Sequence, residues 1–316
     1  MKIAIVFAHG LASFGGTRRD EECSKMCDDL TAHEEEEALA TSGFNRRQFA
    51  AISAAGVLAA CTGSESDAKA RAGLTESTVS ITTPDGTADA FFVRPAKGKH
   101  AAVIMWPDIA GLRPAYMEMG RQLAAAGYAV LVVNHYYRSA KAPILASMAE
   151  WRTPEGQAKL KPMIAAITPQ GVTTDTMAFV AWLDQQAAVD GRKGMGTIGY
   201  CMTGPYTVRA AAAVPRRIKA AASCHGGGLV TQAPDSPHKL IASTQASYLF
   251  AIARNDDSRA PGDKEALKAV SAAAGRPAEI EVYNADHGWC TLDAPTYDKG
   301  EAQRAWGRVL ALFGKL

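Results

Sequence analysis

Residues 196–204 read GTIGYCMTG, and they place a cysteine between a short apolar segment and a segment with helical spacing. This is the strand–turn–helix pattern of a nucleophile elbow, with cysteine where serine is usual. Because the turn is tight, small residues are needed around the nucleophile; Thr203 stands where a glycine is expected, and Gly204 follows it. The dipole of the following helix would favour the thiolate of Cys201, and the Met202 N–H could point at an oxyanion. The pattern predicts a nucleophile at Cys201; the alternative is a small core cysteine packed at a strand end.

Apolar strands and helical segments alternate on both sides of this stretch. Residues 101–106 and 128–134 are continuous apolar runs, typical of strands buried on both faces of a sheet. Residues 77–83 and 88–94 flank Pro84-Asp85-Gly86, a turn sequence that predicts a hairpin. The alternation predicts an α/β fold with a mostly parallel central sheet, helices on both faces and an N-terminal antiparallel hairpin. The remaining predicted strands are 196–200, 218–224, 247–253 and 278–283, and the predicted helices are 114–126, 172–188, 203–213, 263–274 and 295–313.

Residues that directly follow the strands are the candidates for a site, since ligands of such sheets bind beyond the carboxyl ends of the strands. His287 follows the last predicted strand, where it would take the proton from Cys201. Asp256 and Asp257 follow the strand before it, so the chain order is nucleophile, acid, base. Counting from the strand favours Asp256, and counting back from Pro261 favours Asp257. We prefer Asp256 as the residue that orients the imidazole of His287.

Three other features are interpreted without a separate site. Residues 139–170, which contain Trp151 and several prolines, show no clean period and are interpreted as a cover over the pocket that sets specificity. Residues 225–228, HGGG, lack the ending of a phosphate loop and are interpreted as a strand-end turn. Cys224 and Cys290 are interpreted as packing residues near the pocket, with a disulfide between them as the alternative in an oxidising compartment.

Residues 76–316 resemble the dienelactone hydrolase family, which belongs to the α/β-hydrolases. The motifs that carry the resemblance are Gly199-Tyr200-Cys201, Asp286-His287-Gly288, Pro107-Asp108-Ile109-Ala110-Gly111-Leu112 and Tyr136-Tyr137-Arg138. The family hydrolyses cyclic enol-lactones and related esters with a Cys-His-Asp triad, and it uses neither a cofactor nor a metal ion. The resemblance implies the same chemistry for this chain, on a small-molecule lactone or ester.

The resemblance also implies roles for residues that the spacing alone does not assign. The Ile109 N–H joins the Met202 N–H in an oxyanion hole, and Arg138 grips a substrate carboxylate, a task that suits a planar two-pronged donor. Asp108 takes the place of a family glutamate that neighbours the cysteine and influences its protonation. Two departures weaken the case for dienelactone itself. Asp108 is one methylene shorter than that glutamate, and Thr291 stands where dienelactone-specific members carry a second arginine.

The first quarter of the chain differs from the rest. Asn45-Arg46-Arg47-Gln48-Phe49, a short apolar stretch and Leu58-Ala59-Ala60-Cys61 resemble a twin-arginine export signal that ends in a lipobox. Cys61 would then receive a lipid; cleavage at a nearby Ala-x-Ala site and a soluble amphipathic helix are the alternatives. Met26 is an alternative start, so the preceding extension is interpreted as disorder or as a start-site artefact. The predicted divisions are 1–42 for the extension, 43–61 for the signal, 62–75 for a linker and 76–316 for the globular domain.

The signal predicts where the protein works and what it meets. We expect the twin-arginine export machinery as a partner, a periplasmic location and, through Cys61, a membrane tether. If the signal interpretation fails, the location is the cytoplasm.

Composition limits the class of protein. Of 316 residues, 47% are apolar and 21% are charged, as in ordinary globular proteins, and a net charge of +2 gives no reason to predict nucleic-acid binding. Six cysteines are too few for a disulfide scaffold, and no uninterrupted apolar run of about 18 residues predicts a membrane helix. Rival functions are a carboxylesterase for another small ester, a non-catalytic exported protein that binds a ligand on a hydrolase shell, and a redox thiol protein. No C-x-x-C motif surrounds Cys201, which argues against the last.

Overall fold

The computed structural model describes residues 73–316. The predicted extension, the predicted export signal with Cys61 and nearly all of the predicted linker lie outside the described residues. Within the described chain, no helix has the length and hydropathy that crossing a membrane requires.

One sheet organises the described chain. Its strands are β1 (Leu74–Thr83), β2 (Gly86–Pro95), β3 (Ala102–Trp106), β4 (Ala129–Val133), β5 (Met195–Tyr200), β6 (Ile218–Cys224), β7 (Ser247–Ala253) and β8 (Ala278–Tyr283). They lie in the order β1-β2-β4-β3-β5-β6-β7-β8. β1 and β2 form the antiparallel hairpin, β2 pairs antiparallel with β4, and all further pairs are parallel. The predicted fold class is confirmed.

Helices cover both faces of this sheet. Within residues 73–316 they are α1 (Pro114–Ala125), α2 (Met148–Trp151), α3 (Pro154–Ala165), α4 (Pro169–Asp184), α5 (Gly204–Ala213), α6 (Pro237–Leu240), α7 (Arg254–Arg259), α8 (Pro261–Ala273) and α9 (Lys299–Phe313). On one face, Ile104 and Trp106 of β3 pack with side chains of α4 and α5. On the other face, Val103 and Met105 pack with side chains of α1 and α9. All five residues of β3 are buried, which explains its continuous apolar run.

The segment 139–170 is more regular than its sequence indicates. It contains α2 and α3 and the start of α4. α3 begins where the Gly156 N–H donates to the Thr153 hydroxyl at 3.0 Å, and Pro162 lies inside the helix and interrupts its pattern. The segment packs on the loops that follow β3 and β4. The residues in this apolar cluster are Ile109, Ala110, Tyr136, Ile144, Leu145, Met148, Trp151 and Leu160, with Met202 packed against it.

Candidate active site

The connection after β5 holds Cys201 in a strained backbone conformation. β5 ends at Tyr200, a 3₁₀ turn spans Cys201–Thr203, and α5 begins at Gly204. Cys201 has a φ of +57°, a left-handed conformation that costs a side-chain-bearing residue on the order of 1–3 kcal/mol. The thiol residue is buried, with 4% of its surface exposed. The strand–turn–helix connection that the sequence predicts is thus present, with the cysteine at its apex.

Close neighbours explain the small residues around this turn. A Cβ at Gly199 would lie 2.8 Å from the carbonyl carbon of Thr203, and a Cβ at Gly204 would lie 2.5 Å from a backbone atom of the loop after β6. Thr203, the departure from glycine, is itself buried. Its hydroxyl accepts from the Tyr200 N–H at 2.9 Å and donates to the Trp106 carbonyl at 2.8 Å. The threonine therefore ties the turn to the end of β3.

The loops after β7 and β8 bring an acid to a histidine. His287 Nδ1 lies 2.8 Å from the Asp256 Oδ2, and the His287 N–H donates to the Asn255 side-chain oxygen at 2.9 Å. Asp256 and Asn255 stand in the first turn of α7, a short helix that is not among the predicted elements. Asp257 instead accepts a hydrogen bond from Lys264 at 2.7 Å. Of the two candidate acids, the geometry brings Asp256 to the histidine.

The charges of this group favour a protonated imidazole. Burial opposes the charged form of His287, but the negative charges of Asp256 and of the Cys201 thiolate raise its pKa well above the ordinary value. Burial likewise opposes ionisation of Asp256, yet His287 and Arg259 lower the pKa of this carboxyl. The buried Nε2 of His287 has no nitrogen or oxygen partner within the described chain, and the Cys201 side chain, which also raises the pKa of His287 by hydrogen bonding, is its interaction partner. This nitrogen is therefore available to exchange a proton with the thiol.

The two residues of the predicted oxyanion hole lie beside one tyrosine. The Tyr136 hydroxyl donates to the Ile109 carbonyl at 2.8 Å, and its oxygen lies 3.4 Å from the Met202 Sδ. Ile109 lies in the loop after β3, and Met202 directly follows Cys201. The structure thus places both predicted donors on adjacent loops at the carboxyl edge of the sheet.

A second histidine contacts Cys201, and the interpretation of residues 225–228 as a plain strand-end turn did not include it. The Cys201 N–H donates to His225 Nδ1 at 3.1 Å. Burial, aided by the charge of His287, lowers the pKa of His225 well below the ordinary value, so the ring is neutral with its proton on Nε2. Its centroid lies 4.7 Å from that of His287 and 5.3 Å from that of Trp289. The available signal was positional, since His225 directly follows β6, the neighbour of β5.

Asp108 is part of a buried ion cluster that the sequence analysis did not anticipate. Its two carboxylate oxygens accept from Arg113 Nη1 at 2.6 Å and from Nη2 at 3.0 Å. Arg113 also donates through Nε and Nη2 to Asp293 at 2.8 and 2.7 Å, and through Nη1 to the Gly111 carbonyl at 3.1 Å. Asp108 therefore lies beside Ile109 as expected, but its carboxylate is bound to a guanidinium. Its predicted influence on the cysteine remains a prediction.

Arg138 is likewise engaged by carboxylates. Its Nη1 and Nη2 each donate to Asp175 at 2.8 Å, and its Nε and Nη2 donate to Asp85 at 3.0 and 2.6 Å. Asp85 lies in the turn between β1 and β2, so this group stands toward the edge of the sheet. Thr291 is buried, and its hydroxyl oxygen lies 3.3 Å from that of Tyr116. A substrate carboxylate would have to compete with two carboxylates for the guanidinium of Arg138.

The remaining cysteines of the described chain are free thiols. Cys224 is buried at the end of β6, and Cys290 is partly buried in the loop after His287. The alternative of a disulfide between them is not realised in this structure.

Comparison with known proteins gives the family context of this site. The dienelactone hydrolase family model matches residues 88–316. A structure from Klebsiella pneumoniae assigned as a dienelactone hydrolase is 23% identical, with a TM-score of 0.67 over 77% of this chain and 99% of the other. A dienelactone hydrolase-like promiscuous phosphotriesterase from metagenomic libraries is 19% identical, with a TM-score of 0.63 over 77% and 99%. An acetyl xylan esterase from Paenibacillus sp. R4 is 15% identical, with a TM-score of 0.54 over 76% and 84%. A search of curated proteins found no match.

Proposed function

The chain belongs to the dienelactone hydrolase family, and on that premise we propose that it hydrolyses a lactone or small carboxylic ester through Cys201, His287 and Asp256. Family membership identifies it as an ester or lactone hydrolase. The thiol mechanism and the choice of substrate are the proposal. The observation that carries it is the His287–Asp256 pair, 2.8 Å from Nδ1 to carboxylate, together with the interaction of the Cys201 side chain with the same imidazole.

The first half of the reaction forms an acyl-enzyme. His287 takes the thiol proton on Nε2, and the Cys201 thiolate attacks the carbonyl carbon, so that a C–S bond forms and the carbonyl electron pair moves to oxygen. The Ile109 and Met202 N–H groups hold the resulting oxyanion. When the oxyanion collapses, the C–O bond breaks and the leaving oxygen takes the proton from His287. Asp256 keeps the imidazole oriented with Nδ1–H toward its carboxylate.

The second half returns the free enzyme. His287 takes a proton from water, and the hydroxide attacks the thioester carbon. The C–S bond then breaks, the thiolate leaves, and it recovers its proton from His287. A thiolate is a good leaving group from a tetrahedral adduct, so acyl groups with a stabilised leaving oxygen, such as enol-lactones and aryl esters, suit this site better than amides.

Turnover of p-nitrophenyl acetate by the purified full chain tests the proposal. Replacing the nucleophile, Cys201→Ala, should abolish turnover, whereas Cys224→Ala removes another buried thiol at the same edge of the sheet and should leave most of it. Mass spectrometry of the acid-quenched reaction should find the acetyl group on the peptide that contains Cys201. Full activity of Cys201→Ala, or an acetyl group on another residue, would contradict the proposed mechanism.

We also propose export of the protein by the twin-arginine route, with a lipid on Cys61. The support is the order of Arg46-Arg47, a short apolar stretch and Leu58-Ala59-Ala60-Cys61. In a bacterial host, replacing both arginines by lysine should retain the protein in the cytoplasm, and Cys61→Ala should move it from the membrane to the soluble periplasmic fraction. An unchanged distribution in both variants would refute the route and the anchor.

A further inference from the structure

The guanidinium that binds Asp108, the residue before Ile109, has no hydrogen-bond donor left for a substrate. Arg113 is 1% exposed, and its five N–H donors make the five hydrogen bonds described above, to Asp108, Asp293 and Gly111. Two carboxylates against one guanidinium leave this cluster with a formal charge of −1. Asp108 directly precedes Ile109, and Asp293 lies in the loop that follows His287. The excess negative charge therefore lies between the loop after β3 and the loop after β8.

A second arginine, Arg138, also binds two carboxylates with one positive charge. Arg138 binds Asp85 and Asp175, which again leaves a formal charge of −1. Arg254 pairs with Asp286, and Arg259 pairs with Asp256, the partner of His287. Each of these four arginines after β3, β4 and β7 thus already binds a carboxylate.

The surroundings of the predicted oxyanion hole are apolar. Ile109 belongs to the same buried cluster as Leu145, Met148 and Trp151 of the segment 139–170, and Met202 packs against that cluster. A carbonyl bound between the Ile109 and Met202 N–H groups would place its substituents next to these side chains. A carboxylate on such a substituent would lose water without gaining a cation, which is costly.

His135, a buried polar residue beside this cluster that has no hydrogen-bond partner within the described chain, is also uncharged. His135 is 2% exposed, neither of its ring nitrogens has a hydrogen-bond partner within the described chain, and its centroid lies 4.1 Å from that of Tyr136. Burial, with the charge of Arg113, lowers the pKa of His135 to about 3, so the ring is neutral at pH 7. A neutral imidazole can bond a hydroxyl or carbonyl group of a ligand but supplies no positive charge for an anion.

We infer that this site takes an uncharged, apolar ester or lactone and discriminates against substrates that carry a carboxylate. The inference rests on the proposed function, and it narrows that function to a class of substrate. It also gives Asp293 a part in selectivity, because this residue supplies the second carboxylate of the cluster at Arg113 and accepts from the Met148 N–H of α2 at 3.0 Å.

Two aryl esters of equal acyl length test the inference with the full chain. p-Nitrophenyl hexanoate has a neutral acyl chain, and mono-p-nitrophenyl adipate has the same six carbons with a terminal carboxylate. At pH 7 we expect kcat/KM for the adipate to be lower by about 100-fold, as the desolvation of an unpaired carboxylate implies. Equal or faster turnover of the adipate would overturn the inference while leaving the proposed hydrolysis intact. Absence of turnover of both esters and of p-nitrophenyl acetate, or turnover that survives Cys201→Ala, would refute the proposed function and the inference with it.

A charge variant separates electrostatics from simple fit. Asp293→Asn removes the excess charge at Arg113 and should raise the ratio of adipate to hexanoate turnover by about tenfold. Asp184→Asn makes the same change in an ion pair with Arg217, at the amino ends of the strands, and should leave the ratio unchanged. Because each protein is its own reference for the two esters, partial loss of activity does not affect the comparison. A ratio that Asp293→Asn leaves unchanged would overturn the inferred role of charge.

Discussion

Removal of the acceptor at His225 tests whether the loop after β6 holds Cys201, the proposed nucleophile, in place. The Cys201 N–H and His225 Nδ1 are 3.1 Å apart, and the two residues are 4% and 1% exposed. In His225→Leu this N–H is buried without an acceptor, which costs about 1–3 kcal/mol. His225 already has a φ of +40°, so the cost of a left-handed backbone is common to histidine and leucine and largely cancels in the comparison. The free energy of unfolding should therefore fall by about 1–3 kcal/mol.

Activity should fall as well, because the same hydrogen bond fixes the direction of the Cys201 side chain. A displacement of the reacting atom by about 1 Å costs on the order of 100-fold in rate, so we expect a loss of that size in kcat/KM for His225→Leu. Asparagine is the matched control. Its side-chain oxygen can take the place of Nδ1, and it tolerates a left-handed backbone better than other residues. His225→Asn should therefore retain activity within about tenfold of the wild type.

Two measurements on each variant decide the question. Urea unfolding gives the change in stability, and hydrolysis of p-nitrophenyl acetate, measured on protein shown to be folded, gives the change in kcat/KM. A His225→Leu variant that keeps the wild-type kcat/KM would refute the positioning role of His225. Equal losses of activity in the leucine and asparagine variants would also count against it, because the effect would then come from the lost ring rather than from the acceptor.

Three further perturbations test the acid, the charges and the turn. Asp256→Asn should lower kcat/KM by on the order of 10³–10⁴-fold by disturbing the orientation and charge of His287, whereas Asp257→Asn should change it less than about threefold; steady-state kinetics on both would refute the assignment if the order were reversed. His287 has a raised pKa in the folded state, so its contribution to stability is complete below about pH 6.5 and is lost as the pH rises through the raised pKa. Asp256 has a lowered pKa in the folded state, so its carboxylate continues to stabilise the charged His287 down to about pH 4. The difference in unfolding free energy between wild type and His287→Gln should therefore be largest between about pH 4 and 6.5, and a difference that grows above pH 8 would contradict the charge assignment. Gly204→Ala should destabilise by more than about 2 kcal/mol in thermal melts, because its Cβ meets the loop after β6, whereas Gly262→Ala, with open space at its Cβ in the first turn of α8, should be neutral within about 0.5 kcal/mol.

The parts of the fold that the sequence predicts are those with a local cause. The buried runs at β3 and β4 are apolar on both faces because helices cover both sides of the sheet. Pro84-Asp85-Gly86 fixes the turn of the hairpin by its own backbone preferences, with Gly86 at a φ of +139°. The helices of segment 139–170 are harder to predict from the sequence, because α2 has only four residues and α3 contains an internal proline. Short helices whose apolar side chains meet one compact cluster leave no repeating stripe to detect.

The order of site residues along the chain was predictable for a different reason. The carboxyl ends of parallel strands lie at one edge of the sheet, so the residues that directly follow β5, β7 and β8 lie at that edge for any loop conformation. His287 and the two acids therefore lie at the edge of the sheet that holds Cys201, and the structure distinguishes the acids, since Asp256 contacts the histidine and Asp257 contacts Lys264. The same geometry places His225 at this edge, because it directly follows β6. Tyr200 and Cys224 are paired at the ends of β5 and β6. The residues that follow them, Cys201 and His225, are therefore expected to lie next to each other.

Partners distant along the chain account for what spacing could not predict. Arg113 lies only five residues after Asp108, but Arg113 and Asp293 are separated by 180 positions, so the sequence around Asp108 does not indicate that a second carboxylate meets the same guanidinium. The motif around Asp108 therefore predicts where the loop lies and leaves open the charge of its surroundings. That charge bears directly on substrate choice, because the same loop carries the Ile109 N–H. A resemblance in motifs can thus extend to the hydrolytic reaction while the ion pairs around those motifs favour a different substrate, and the paired hexanoate and adipate esters measure the two properties separately.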